Sequence, residues 1–177
     1  MGSIKRAYDW DWTGADAAYK RALELEPANA DILRSAARLA GSLGRFDEAI
    51  RLSRDAIALD PLQVGIYANL GLLNYYAGRW QDGKQAIHKA LELNRQFPAA
   101  YSVLGKIHLE QSKPQQALAE MQKETDPSFH SQGLALAYRA MGMDQEADSV
   151  LADYIKQFAD GSAKQLPGSL FLRIKIR

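Results

Sequence analysis

The chain repeats itself every 34 residues. Ala15, Ala49, Gly83 and Ala117 recur at that step without slippage, as do Ala22, Ala56 and Ala90, and Leu25, Leu59 and Leu93. Turn positions keep the same spacing: Gly44 and Gly78 are one period apart, Ser112 takes the next place, and Gly142 follows after a shortened step of 30. Trp12, Phe46 and Trp80 each fall two residues beyond a turn position or its equivalent. A fixed period of this length confines a chain to stacked units that cannot bury their apolar faces alone.

Each unit reads as two helices. Leu33, Ala36, Ala37, Leu39 and Ala40 form one helical stripe, which Gly44 stops. Ala49, Ile50, Leu52, Ala56, Ile57 and Leu59 form the next, which Asp60-Pro61 ends. The pattern predicts helix pairs near 29–43 with 46–59, 63–77 with 80–93, 97–111 with 114–124, and 128–141 with 144–158, preceded by a helix at 13–26. The expected organisation is an array over 1–158 and an irregular cap or tail over 159–177. The array divides into a partial unit 1–29 and units 30–63, 64–97, 98–127 and 128–158. Strand-like alternation appears only in the last eight residues, Leu170 to Arg177. The expected fold class is an all-α solenoid of antiparallel helix pairs.

Tyr67, Leu70-Gly71, Gly78, Trp80, Ala90 and Leu93, with Tyr101, Leu104-Gly105 and Ala117, carry a resemblance to the tetratricopeptide repeat family over residues 12 to 158. That resemblance implies a right-handed superhelix in which small residues allow close helix crossings and large apolar ones fill the gaps between helices. Gly83 departs from the usual Ala, at a helix-propensity cost of about 1 kcal/mol. Thr125-Asp126-Pro127 cuts the third unit short, and a local change of curvature is expected there. The opening, Tyr8-Asp9-Trp10-Asp11-Trp12-Thr13-Gly14-Ala15, resembles arrays carried by bacterial regulators behind winged-helix or cyclase-type domains. This implies an interaction part of something longer, and Met1-Gly2-Ser3 reads as a cloning remnant.

Composition narrows the function. Lys and Arg total 22 and Asp and Glu 21, a net charge of +1, which argues against nucleic-acid binding in this region. Apolar residues make up 47%, enough for a core. No window approaches a membrane span, and the N-terminus lacks an apolar signal core. Cysteine is absent, so disulfides, thiolate metal sites and cysteine nucleophiles are excluded. The simplest expected location is the cytoplasm.

Chemistry-bearing motifs are few. Gly78-Arg79-Trp80-Gln81-Asp82-Gly83-Lys84-Gln85 nearly matches a phosphate-binding loop, but Gln85 stands where Ser or Thr is needed and a helix precedes it. His88, His108 and His130 form no metal-ligand spacing. His108 falls in the column of Asn74 and Tyr138 and reads as inter-helix packing, whereas His88 with Glu92 reads as a surface i,i+4 pair. Asp9 and Asp11 read as helix-capping acids. No enzymatic activity, metal or cofactor is expected.

In tetratricopeptide arrays the first helices of successive units line a concave ligand groove. Carried over by column, the resemblance implies a groove of Arg34, Arg38, Asn69, Leu72, Tyr75, Tyr76, Lys106, Leu109 and Arg139, with Gln132 and Leu136 beside them and Asp31 and Glu110 at the rim. Cations interleaved with tyrosines and leucines suit an acidic or aromatic protein segment; the alternative is a solvated groove with no strong ligand. The carboxylate clamp of chaperone-binding arrays is not expected, because Arg38 replaces an Asn and Ala99 and Val103 replace two cations. A rival reading is a homodimer or higher oligomer formed through open ends. There Trp10, Trp12 and Tyr19 are expected to lack cover, and the tail serves as a cap, a truncation artefact or an association element.

Overall fold

A computed structural model of the chain describes residues 12–159, and these form nine α-helices. They are α1 (Trp12–Leu25), α2 (Ala30–Ser42), α3 (Phe46–Leu59), α4 (Val64–Tyr76), α5 (Trp80–Leu93), α6 (Ala100–Glu110), α7 (Pro114–Met121), α8 (Pro127–Ala140) and α9 (Asp144–Ala159). Helices α2 to α9 pair as four hairpins, each packed on the next, and α1 packs on α2. The first helices of the pairs, α2, α4, α6 and α8, also meet one another along one side. The architecture is therefore the expected all-α solenoid.

One turn design is built four times. Gly44, Gly78, Ser112 and Gly142 all adopt positive φ (75, 70, 57 and 75°). The following amide in each case donates back across the turn: Arg45 N–H to Ala40 O, Arg79 to Asn74, Lys113 to His108 and Met143 to Tyr138, at 2.8–2.9 Å. This is the left-handed helix stop that glycine adopts without steric cost. Ser112 adopts it with a Cβ, which costs about 1–2 kcal/mol in that region. Replacing Ser112 with glycine should therefore raise the unfolding free energy, by about 0.5–1 kcal/mol after the added unfolded-state entropy is deducted. Urea titration followed by circular dichroism would measure it, and a lower midpoint would refute the argument.

The repeated small residues sit at the helix crossings. Ala15, Ala49, Ala117 and Ala147 are fully buried, and Gly83 takes the same place in α5. A Cβ on Gly83 would lie 3.2 Å from the Gly71 carbonyl oxygen and 3.2 Å from Ile107 Cδ1. The glycine thus permits a closer approach of α4 to α5 than alanine would. Around these crossings the core runs as consecutive apolar clusters, with Leu39, Ile50, Ile66, Ile87, Leu104, Ile107 and Met121 as the largest fully buried members.

The structure corrects several expectations. Tyr19 is buried (8% exposed) and Trp12 packs against the same cluster, so neither is left uncovered. The helix expected from residue 97 begins at Ala100, because Ala99 takes a left-handed conformation (φ 67°) after Phe97-Pro98. The helix expected to reach 124 ends at Met121. Beyond it, Glu124 is buried, and its Oε1 accepts the amides of Thr125 and Asp126. Asp126 then caps α8 through the amides of Ser128 and Phe129. Glu92 makes its ion pair with Lys89 at 2.8 Å, and His88 adds a weaker electrostatic attraction. Asp9, Asp11, Trp10 and the alternating segment 170–177 lie outside the described residues.

Candidate functional site

Two adjoining hollows lie along the side formed by α2, α4 and the start of α6. The first, of about 330 Å³, has Arg34, Arg38 and Asn69 at its polar side, Leu72 and Val103 on its floor, and Phe97-Pro98-Ala99 as a wall. The second, of about 470 Å³, is lined by Arg38, Ser42, Phe46, Asn69, Leu72 and Tyr76. Arg38, Asn69 and Leu72 belong to both, so the hollows share a rim.

The polar groups are held unevenly. Arg34 Nη2 donates to Asp31 at 2.9 Å one turn earlier, while its Nε is buried without a partner. Asn69 Nδ2 is also buried without a partner. Arg38 is exposed and makes no side-chain ion pair with a described residue. A buried donor left unpaired costs free energy, and Arg45 Nε is in the same state away from these hollows. In the second hollow the Tyr76 and Phe46 rings stack at 6.2 Å and 20°. Tyr75 lies 5.2 Å from Tyr76, and its hydroxyl donates to Glu110 at 3.2 Å. Burial, and then the Glu110 carboxylate, raise the Tyr75 pKa above its ordinary value.

Five of the nine groove residues named from the sequence are thus brought together: Arg34, Arg38, Asn69, Leu72 and Tyr76. The other four do not line either hollow. Tyr75 packs inward against the cluster of Ile87 and Ile107. Leu109 packs against Ala117, Met121 and Ala137. Arg139 is paired with Asp148 of α9 at 2.7 Å. Lys106 is half-buried, and burial alone lowers its ammonium pKa. Gln132 donates to Ser128 on its own helix, and Leu136 is exposed. Sequence reasoning overlooked Phe46, Ser42 and the Phe97-Pro98-Ala99 wall. The only signal was Phe46's membership of the aromatic column, which suggests packing rather than a site.

The remaining chemistry-bearing residues serve the fold. Gly78 forms the α4–α5 turn and Gly83 a helix crossing, so the loop-like string is two turn residues followed by the first turns of α5. His130 Nδ1 lies 3.0 Å from the Glu124 carbonyl oxygen. Among the described residues no cluster of His, Asp or Glu could hold a metal ion, and no helix is long and apolar enough to cross a membrane.

His108 is half-buried beside Lys84, and burial and then the Lys84 charge lower its pKa below 6.5. The folded chain therefore resists protonation there. Its stabilising effect is complete above pH 6.5 and is lost as pH falls from 6.5 through the depressed folded value. His108→Asn, which copies Asn74 of the preceding unit, should flatten the loss of stability between about pH 7 and 5.5. Parallel urea titrations would check this, and equal slopes for both proteins would count against it.

Comparison with known proteins fits this architecture. The tetratricopeptide repeat family matches residues 11–64, 68–128 and 133–161. The chain belongs to the tetratricopeptide repeat family. Among curated relatives it is 31% identical over 127 residues to the BBSome complex member BBS4 of Bos taurus, covering 70% of this chain and 24% of that protein. It is 34% identical over 137 residues to the Hsp70-Hsp90 organizing protein of Triticum aestivum, covering 75% and 24%. The chain thus spans about a quarter of the length of these relatives. Among solved structures, MamA superposes with a TM-score of 0.72 at 26% identity, covering 90% of this chain and 95% of that one. Members of this family are, in general, protein–protein interaction modules.

Proposed function

We propose that this tetratricopeptide repeat array is a non-enzymatic, cytoplasmic binding module that holds a protein segment, acidic or aromatic in character, in the groove lined by Arg34, Arg38, Asn69, Leu72 and Tyr76. The observation that carries this reading is the exposed Arg38, without an ion pair among the described residues, meeting Arg34 and Asn69 at a hollow otherwise lined largely by apolar side chains. A few such anchors supply the roughly −8 kcal/mol of micromolar binding. The likeness to a subunit of a complex and to an organizing protein supports a scaffold role, and the opening motif supports a place within a larger regulatory protein. Reversing both charges, Arg34→Glu with Arg38→Glu, should reduce capture of partners from a lysate of the source organism at least tenfold. Unchanged capture would refute the groove.

A second reading, self-association through an end, is favoured by α9. Ile155 is 54% exposed, whereas Leu91, its counterpart in α5, is 8% exposed. Leu151 is half-buried where its counterparts Ile87 and Met121 are fully buried. On this reading Ile155→Lys converts a dimer to a monomer in light scattering, and a wild-type monomer at all concentrations removes it.

A further inference from the structure

We infer that the two hollows form a bipartite site, which takes an acidic side chain in the first and an aromatic side chain in the second, from alternate positions of one extended protein segment. The inference rests on the groove being the binding surface, and it adds which chemistry goes where.

The first hollow suits a carboxylate. Arg34 and Asn69 line it, and Arg34 Nε and Asn69 Nδ2 have no acceptor among the described residues. Because Asp31 already pairs with Arg34, the local charge is balanced except for Arg38. One added carboxylate therefore restores neutrality beside Arg38, and hydrogen bonds to an ionised acceptor are roughly twice as strong as neutral ones. An ammonium or guanidinium placed there would face Arg38, and the only acceptor these three side chains offer is the Asn69 amide oxygen. The source is a side-chain carboxylate within the segment. A chain terminus needs cations from the next unit, where Ala99 and Val103 present apolar surface to the hollow.

The second hollow suits a ring. Tyr76 is 58% exposed, and its stacked partner Phe46 sits in the same wall, with Leu72 and Leu73 beneath. Aromatic pairs gain about 0.5–1.5 kcal/mol beyond the area they bury, and Arg38 at the rim can lie against the entering face. Space here depends on Gly41, since a Cβ on it would lie 2.4 Å from Leu73 Cδ2 and push that side chain outward.

The shared rim sets the spacing. Arg38, Asn69 and Leu72 line both hollows, so the two side chains must enter side by side. In an extended segment, residues i and i+2 lie on one face about 7 Å apart, which matches adjacent pockets. The recognised element is therefore an acidic and an aromatic residue separated by one position.

Selection of a phage-displayed random dodecapeptide library on the full chain tests this. The expected result is enrichment of Asp or Glu two positions from Phe, Tyr or Trp. In fluorescence anisotropy, acid-to-amide and aromatic-to-Ala changes in the selected peptide should each weaken binding at least tenfold. Arg38→Glu should lose the selected peptide and bind its acid-to-Lys version at least tenfold better than the wild type does. Circular dichroism confirms folding of that exposed variant. Enriched peptides that lack the pair yet are lost on Arg34→Glu with Arg38→Glu overturn the bipartite site and leave the groove standing. Peptides indifferent to that double variant, or no enrichment at all, overturn both.

Discussion

Ile87→Ala should lower the unfolding free energy by about 2–5 kcal/mol, the usual loss for emptying a fully buried aliphatic site. Ile87 is 0% exposed and belongs to the cluster that joins α5 to α6. Its seat is made by a glycine: a Cβ on Gly71 would stand 2.4 Å from Ile87 Cδ1 and 2.5 Å from Cγ1. Cγ1 is close to the backbone of a β-branched residue, which has little freedom about χ1 to move away. Gly71→Ala alone should therefore destabilise by about 1–3 kcal/mol through overpacking, although alanine favours a helix by about 1 kcal/mol. In the Ile87→Ala background the side-chain clash is gone, and the helix preference is opposed only by a 3.2 Å approach of the new Cβ to the Gly83 carbonyl oxygen. Gly71→Ala should then cost clearly less than it does in the wild type. Urea unfolding of the four proteins gives the coupling directly, and additive effects would show that the two residues do not share this space.

That cycle bears on what the sequence revealed. Gly71, Gly83 and Gly105 fall in repeat columns because helix crossings need small residues, and such a need recurs with the period. Local rules of this kind made the helix pairs and turns legible, including Ser112 in a glycine position. The misses came from interactions that no column encodes. Ala99 turns left-handed although alanine disfavours it, so its helix starts late. Arg139 is taken by Asp148 across a helix turn, and charge at a groove position does not reveal such a partner. Leu109 and Tyr75, one period apart, sit in a groove column yet pack against the apolar clusters between the helices. Phe46 follows the periodic aromatic column yet also reaches Tyr76 of the next unit. Only three-dimensional packing shows that Arg34, Arg38 and Asn69 meet Leu72, Phe46 and Tyr76 at two adjoining hollows.

Met121→Ala should separate the last helix pair from the array. Helix α7 has only eight residues, so few of its side chains link α6 to α8. Met121 is fully buried and fills space that two glycines leave open. A Cβ on Gly105 of α6 would lie 2.6 Å from its Cγ, and one on Gly133 of α8 would lie 2.9 Å from the same atom. One long, adaptable side chain thus packs against two neighbouring helices at once. Its truncation leaves a cavity facing two glycines that carry no atoms to fill it, and should cost about 2–5 kcal/mol. In a stack of units the loss is local, because each unit is held chiefly by its neighbours. Amide hydrogen exchange should accelerate by about 30-fold or more in α8 and α9, as a 2 kcal/mol smaller opening free energy requires, while α2 to α5 change far less. Uniform acceleration along the whole chain would instead mean that the array unfolds as one unit and that Met121 is not its weak joint.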